Sequence, residues 1–354
     1  MEPQLIERLA LQAAAPAITI LCPLDLRRPG NAEDRLRFER LRRDAEAAAF
    51  RYGGGATAAT LRHLDEAVAM LDLAHPVPAV AVLAAPDTAM VIPLGSSCLP
   101  LARVGHQFAI GELLAALQHE VRARGVLLAR SGTRCLEVWS GHVVERTDHG
   151  FPIPFEPSVE ADTPHRDFPR SELEDAEAAR ETFRTVDRAL RSLDRDEPAD
   201  LVVIGSVRDL AWFDEVTSLR DRTIGRVIGG NGHASPARVA AMVQGVVDDH
   251  RDTRARNAAR QARQALGWRA VAGVDEVWSS ARIGRGHRLL VEEHFHIDAR
   301  ATNGHLVPIN PEDPDRIDVV DDAIAEVISH DGEVVFTPAD TLADLGHIAL
   351  VTRY

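Results

Sequence analysis

The stretch RTIGRVIGGNGHASPARVAAMVQ, Arg222–Gln244, decides how the rest of the chain is read. Thr223, Ile224, Val227 and Ile228 make a short β-branched run of the kind that packs on a pleated surface. It leads into Gly229-Gly230-Asn231-Gly232-His233, and a helix then opens at Ser235-Pro236. Ser235 suits the N-cap, where a hydroxyl accepts from an orphan backbone N–H, and Pro236 suits the first turn. Three glycines in four positions permit positive φ and leave backbone N–H groups bare. A loop held in this way can cradle a phosphate, an oxyanion or the end of an RNA. It can also be a plain tight turn.

Downstream, the helix is apolar through Val239, Met242, Val243, Val246 and Val247 and then turns basic at Arg251, Arg254, Arg256, Arg260 and Arg263. Arg256, Arg260 and Arg263 fall on one helical face. No acid occurs from Arg254 to Arg269, so this is a local positive stripe suited to RNA or phosphate. Asp248, Asp249 and Asp252 beside it fit the other reading, a solvated face laced with acids. Upstream, Leu201–Ile204 reads as a buried strand, and Leu210, Phe213 and Val216 mark a helix. Ser171 and Glu174 have capping-box spacing. Behind them Ala176, Ala179, Phe183, Val186, Leu190 and Leu193 recur at three and four, predicting a long helix with one buried stripe.

These segments predict a middle α/β domain over 171–266. Residues 147–170, with prolines at 152, 154, 157, 164 and 169, read as an inter-domain linker or surface strap. Residues 1–146 read as an N-terminal mixed α/β domain. It has a strand at Ala17–Leu21, helices over Arg35–Phe50 and Ala58–Leu73, and strands at Ala79–Ala85 and Ala89–Leu94. A short helix at Glu112–His119 and a hairpin of Gly125–Ala129 with Cys135–Trp139 complete it. Residues 267–354 read as a C-terminal α/β/α domain. Its helices are Val274–Arg282 and Val319–Ser329, its strands Arg288–Glu292, Glu333–Phe336 and Ile348–Arg353, with a loop over Ala299–Ile317.

The 354 residues are 45% hydrophobic and 27% charged, a globular composition. Net charge is −14, so no general attraction to nucleic acid operates and RNA contacts must come from local arginine clusters. All 40 basic residues are Arg. Schiff-base chemistry and a Walker-type lysine are therefore excluded. Cys22, Cys98 and Cys135 are widely spaced, without CxxC, and read as reduced intracellular thiols. No signal peptide or membrane-length apolar run occurs, so a cytoplasmic protein is expected.

Three further patterns carry candidate chemistry. Gly230-x-Gly232-x-x-Ser235 half-matches a dinucleotide fingerprint, but the third glycine is Ser and Asp248 or Asp249 would fall inside a helix. His294 and His296, beside Glu292 and Glu293, would share one strand face like metal ligands, with His287 near but no third ligand at a sensible spacing. Asp25, Arg27, Arg28 and Asn31 share one loop, read either as a buried clasp with Glu33 or Asp34 or as a ligand or RNA contact.

Several segments together resemble the bacterial relatives of the archaeo-eukaryotic peptide-chain release factors, a group akin to Pelota and the hibernation factor Balon. They are ITILCPLDLRRPGNAEDR, VGHQFAIGELLAAL, GVLLARSGTRCLEVWSG, ADLVVIGSVRDLAWFDEVTSL, GVDEVWSSARIGRGHRLLVEE and IALVTRY, in the family's order. The resemblance implies a divergent N-terminal domain, an RNase H-like middle domain and a C-terminal domain like the kink-turn-binding ribosomal proteins. In the release factors a Gly-Gly-Gln loop precedes a long basic helix and reaches the peptidyl-transferase centre. Here Gly229-Gly230-Asn231 stands in that place. Asn is one methylene shorter than Gln, though its backbone N–H could still stabilise an oxyanion. The stop-codon loop of the eukaryotic type carries a Lys, and this chain has none.

The resemblance therefore implies codon-independent binding in the ribosomal A site, in rescue or hibernation, with Gly229, Gly230 and Asn231 as the candidate catalytic loop. Contacts to ribosomal RNA or tRNA would come from Arg226, His233, Arg238, Arg254, Arg256, Arg260 and Arg263, with Arg27, Arg28 and Asn31 on the decoding side. A translational GTPase is the further partner implied, and no cofactor, metal, membrane or DNA is expected. The alternative is a nucleotide- or small-molecule-binding α/β enzyme that uses the loop as a phosphate cradle.

Overall fold

A computed structural model of the chain describes residues 3–12, 14–120, 122–139, 142–155, 172–229, 232–302, 305–309 and 317–354. The chain divides into two compact units, one of Met1–Glu120 with Asp252–Tyr354 and one of Val121–Arg251. Gly230, Asn231, Ser171 of the expected capping box and 156–170 of the expected linker lie outside the described residues.

In the first unit the apolar run becomes β1 (Ala17–Pro23), one of the two inner strands of an antiparallel sheet with β2 (Ala79–Ala85), β3 (Thr88–Leu94) and β4 (Leu101–Gly105), ordered β3-β2-β1-β4. The sequence LARVG of β4 shows no strand alternation; β1 recruits it through backbone pairing, Ile18 opposite Val104. The sheet is apolar on both faces because both are covered. Ile18, Ile20, Cys22, Val80 and Val82 pack on Phe38 and Leu41 of α2 (Ala32–Ala49) and on Leu64 and Ala67 of α3 (Gly54–Met70). The alternate residues Ala17, Leu21, Ala81 and Leu83 belong to a second cluster with α1 (Pro3–Leu11) and α4 (Ile110–Gln118).

That second cluster continues into the C-terminal segment. Here β10 (Ala270–Ala272), β11 (Gly286–Glu292), β15 (Glu333–Thr337) and β16 (Ile348–Thr352) form a sheet ordered β10-β16-β11-β15. Trp278 of α8 (Val274–Arg282), Leu289 and Val291 of β11, and Val320, Ile324 and Val327 of α9 (Val319–Ser329) share a core with the N-terminal sheet. The expected loop over Ala299–Ile317 instead contains β12 (Asp298–Thr302), β13 (His305–Pro308) and β14 (Ile317–Asp318), a small antiparallel sheet ordered β13-β12-β14. Its turn residues mask a hairpin that pairing through the backbone makes possible.

Asp321, on the first turn of α9, is buried in this shared core, where its Oδ1 accepts from the Gly111 N–H at 2.6 Å. Arg103 donates to Asp318 at 2.6 Å and lies 3.7 Å from Asp321, so Asp318 takes the better ion pair. Burial, then the nearby Asp318 carboxylate, holds the Asp321 carboxyl well above the ordinary 3.8. A raised carboxyl keeps in the folded state a proton that the unfolded chain releases. Stability is therefore lost as pH rises from the unfolded value through the raised one. Asp321→Asn keeps an acceptor for Gly111 and removes the charge. It is expected to melt higher than the parent at pH 7 and to show a flatter decline between pH 4 and 7; thermal melts at both values check it.

In the second unit, β5 (Arg122–Leu127), β6 (Arg134–Trp139) and β7 (His142–Glu145) form an antiparallel meander. Beyond β5 lie β8 (Asp200–Gly205) and β9 (Thr223–Ile228), both parallel, giving the order β7-β6-β5-β8-β9. The expected boundary at 146 is thus corrected: the hairpin belongs to the middle sheet, because β5 pairs along its length with β8, about 80 residues on. The 147–155 part of the expected inter-domain linker joins elements of this same unit. It is a strap, with Ile153 bridging Thr133 and with Phe151 and Ile153 buried.

Both faces of this sheet are covered. The stripe Ala179, Phe183, Val186, Leu190 and Leu193 of α5 (Glu172–Asp196), with Leu210 and Phe213 of α6 (Val207–Val216), packs against Val126, Leu201 and Val203. On the other face, Val239 and Val243 of α7 (Pro236–Ala265) pack against Ala123, Leu127, Val202 and Ile204. Gly125 makes that approach possible, since an added Cβ would lie 2.8 Å from Val243 and 3.0 Å from Val239.

A candidate RNA-facing loop and basic helix

The loop sits at the C-terminal ends of parallel strands β8 and β9, where chain direction gathers loop backbone at one edge. Gly229 has φ of +143°, a region that L side chains rarely adopt, with no atom within 4 Å of an added Cβ. Conformation, not crowding, calls for glycine there. Its N–H donates to the Gly205 carbonyl at 3.0 Å. That donor is therefore engaged in holding the loop to β8 and is not offered to a phosphate, contrary to the cradle expected of bare amides.

At the far side of the loop the reason for glycine changes. A Cβ on Gly232 would lie 2.0 Å from Ser131 Oγ and 2.9 Å from Ala129 Cβ, so the loop seats directly on the β5–β6 turn. Ser235 Oγ accepts from the Arg238 N–H at 3.3 Å and α7 begins at Pro236, as expected.

Arg134 is the residue that sequence reasoning missed. Its Nη1 donates to the carbonyls of Ala234 at 2.8 Å and Gly232 at 3.3 Å. Its Nε and Nη2 donate to both oxygens of Glu145 at 2.6 Å. Hydrogen bonding from Arg134 lowers the Glu145 carboxyl below its ordinary value. One planar guanidinium thus ties the loop exit to the hairpin. Its targets are carbonyls roughly a hundred residues on, and carbonyls leave no mark in a sequence. Arg134→Met should raise the rate of loop cleavage in limited proteolysis several-fold. It should cost only about 1 kcal/mol in stability, because the partly exposed Glu145 can be rehydrated.

The expected RNA-contact residues fall into two groups. His233 and Arg238 are exposed at the start of α7, and among the described residues no carboxylate pairs with Arg238. Arg256 and Arg260 are likewise exposed without a carboxylate partner among the described residues, while Arg254 is 71% exposed with Glu333 at 3.9 Å. The other group is engaged. Arg226 donates to Asp214 at 2.7–2.9 Å. Arg263 makes two 2.6 Å bonds, to Asp344 and to the Thr341 carbonyl. On the opposite side of this half of α7, Ala255, Ala258, Ala259 and Ala262 are buried.

The N-terminal loop is a closed clasp. Asp34, buried, accepts from the Asp25 N–H at 2.9 Å, Asn31 Nδ2 at 2.7 Å and Arg37 Nη1 at 2.6 Å. Asn31 Oδ1 caps α2 by accepting from the Asp34 N–H at 3.0 Å, so its side chain is occupied. The arginine of the clasp is therefore Arg37. Arg28 pairs with Asp25 at 3.0 Å and Arg27 is exposed.

His294 and His296 are not on a strand: β11 ends at Glu292 and His294 has φ of +63°. His294 instead bonds Glu112 at 2.8 Å. Among the described residues no group of three or more His, Cys, Asp or Glu is placed to hold a metal ion. Nor is any helix of the described residues long and apolar enough to cross a membrane.

Residues 126–285, a little under half of the chain, match the model of bacterial archaeo-eukaryotic release factor family 3. No curated protein matches. Among solved structures, Archaeoglobus fulgidus Pelota is 15% identical, with 75% of each chain covered and a TM-score of 0.37. Dom34 of S. cerevisiae, a translation termination-like factor interacting with Hbs1, is 11% identical, covering 76% of this chain and 74% of its own, with a TM-score of 0.43. The archaeal translation termination factor aRF1 is 14% identical over 100% of this chain and 99% of its own, with a TM-score of 0.25. The matched segment takes in the end of β5, the strands β6 and β7, the loop, the whole of α7 and the start of the C-terminal fold. Over that segment the chain therefore resembles the third family of bacterial archaeo-eukaryotic release factors.

Proposed function

We propose that this protein is a ribosome-associated factor that enters the A site without reading a codon, in rescue of stalled ribosomes or hibernation of idle ones. The observation that supports it best is the loop itself. It is fastened at one end by Gly205 and at the other by Arg134, and it stands ahead of a helix with uncommitted arginines, inside the segment that matches the release-factor family. Strand order β7-β6-β5-β8-β9 also suits the RNase H-like middle domain expected of that family. Arg238, Arg254, Arg256 and Arg260 would meet RNA phosphates, whereas Arg226 and Arg263 act in folding through their acidic partners.

Co-sedimentation of the protein with vacant bacterial ribosomes tests the reading. Binding is expected at low salt, and Arg254→Ala/Arg256→Ala/Arg260→Ala should weaken it at least ten-fold without altering the melt. Absence of binding at low salt, with or without a translational GTPase, would sink the proposal. A peptidyl-tRNA release assay with Asn231→Ala then separates a catalytic loop from one that only occupies the site.

A further inference from the structure

At the end of α7 the chain gathers a second basic cluster. Trp268 is 68% exposed, and its indole N–H donates to the Gln264 carbonyl at 3.3 Å, which folds the ring back on the helix end. The Arg269 guanidinium lies 5.7 Å from the Trp268 ring centre, and Arg285 lies 6.0 Å from that of the exposed Tyr354. Main-chain oxygens orient these arginines: Arg269 donates to Arg353 O at 3.1 Å, Arg285 to Tyr354 O at 3.3 Å, and Arg353 to Gly286 O at 2.9 Å. Backbone pairing locks the segments together, Thr352 N to Arg269 O at 2.9 Å and Arg353 N to Arg285 O at 3.0 Å.

What sets the cluster apart is its charge. In a chain of net −14, arginines elsewhere are repeatedly matched to acids, as in Arg37–Asp34, Arg134–Glu145, Arg226–Asp214 and Arg263–Asp344. Among the described residues, neither Arg269 nor Arg353 has a side-chain carboxylate partner, whereas Arg285 donates to the oxygen of Tyr354, the last residue of the chain. Carbonyl oxygens fix the direction of Arg269 and Arg353 without cancelling their charge. An exposed indole beside fixed, unneutralised guanidinium groups offers a stacking face for a base and donors for phosphate oxygens. An acidic peptide would satisfy the arginines but leave the indole without a planar partner.

From this juxtaposition we infer that Trp268, Arg269 and Arg353 form a binding platform for single-stranded RNA. The inference does not depend on A-site binding, since it concerns affinity of the protein alone for a free strand.

Fluorescence anisotropy of a labelled twelve-nucleotide oligoadenylate with the full chain tests it at 50 mM salt, with a polyglutamate peptide as competitor. Two neutralised phosphates predict a log–log salt slope of about −1.4. Trp268→Ala should weaken binding roughly ten-fold, and Arg269→Gln should make the slope shallower. Both side chains are exposed, so equal melting of the variants and parent is the control. No binding by the parent, unchanged affinity in a folded Trp268→Ala, or displacement by polyglutamate in preference to unlabelled RNA would each overturn it. Ribosome binding abolished by the helix substitutions with oligoadenylate affinity intact would leave this platform standing, and the reverse would leave the A-site reading standing.

Discussion

Arg124→Ala is expected to destabilise the Val121–Arg251 unit by about 3–5 kcal/mol, the range found when one partner of a buried ion pair is removed. Arg124 is 2% exposed and faces Glu137 directly across the β5–β6 pair, with Nε donating to Oε1 at 2.5 Å. Its Nη2 also donates to the Glu197 carbonyl at the end of α5, and Asp194 lies 3.9 Å away. Truncation would leave the Glu137 carboxylate, itself 4% exposed, without its cation in a site water does not reach. Urea denaturation measures the loss. The desolvation argument makes a second demand: Arg124→Met with Glu137→Leu removes both charges and should recover most of the stability. An Arg124→Ala within about 0.5 kcal/mol of the parent, the range of ordinary surface changes, would show that the pair is not isolated from water.

The second large effect is steric. Gly225 lies in β9 beneath α7, and a Cβ built on it would stand 2.3 Å from Val246 Cγ1. Val246 cannot turn aside, because a β-branched residue in a helix has one strongly preferred rotamer. Gly225→Ala should therefore cost about 1–3 kcal/mol by overpacking. Val246→Ala opens the space, so the double variant should be more stable than the sum of the two single changes implies. Additive effects would mean that the helix shifts freely over the strand. If it does not, Gly225 sets how closely α7 approaches the sheet, and so where the loop ahead of it is presented.

Much of the local structure was legible because it depends on patterns shorter than a few turns. The α5 stripe was read from three- and four-residue spacing, and every residue from Ala176 to Leu193 on it is buried. The limits of α8, Val274–Arg282, and of α9, Val319–Ser329, coincide with those expected. Ser235-Pro236 opens α7 for the capping reason given. Elements without such a pattern escaped: β4, whose partner β1 lies some 80 residues earlier, and β12 and β13, hidden in turn-forming residues.

The candidate site divides along the same line. Its ingredients, a β-branched run, clustered glycines, a cap and a basic helix, are local and were readable, as was the likeness to release factors. Which arginines remain available was not. Arg226 and Arg260 look alike in sequence, yet Asp214 neutralises the first and no acid among the described residues meets the second. By itself, then, the sequence determined the helices, most strands, the strand–loop–helix and the α/β class, because periodicity and capping act between neighbours. Only the tertiary structure decided that the β5–β7 meander joins the middle sheet, that the two ends of the chain share one core, and that Arg134 holds the loop. Each of these rests on contacts between residues far apart in the chain, whose energies no local pattern encodes.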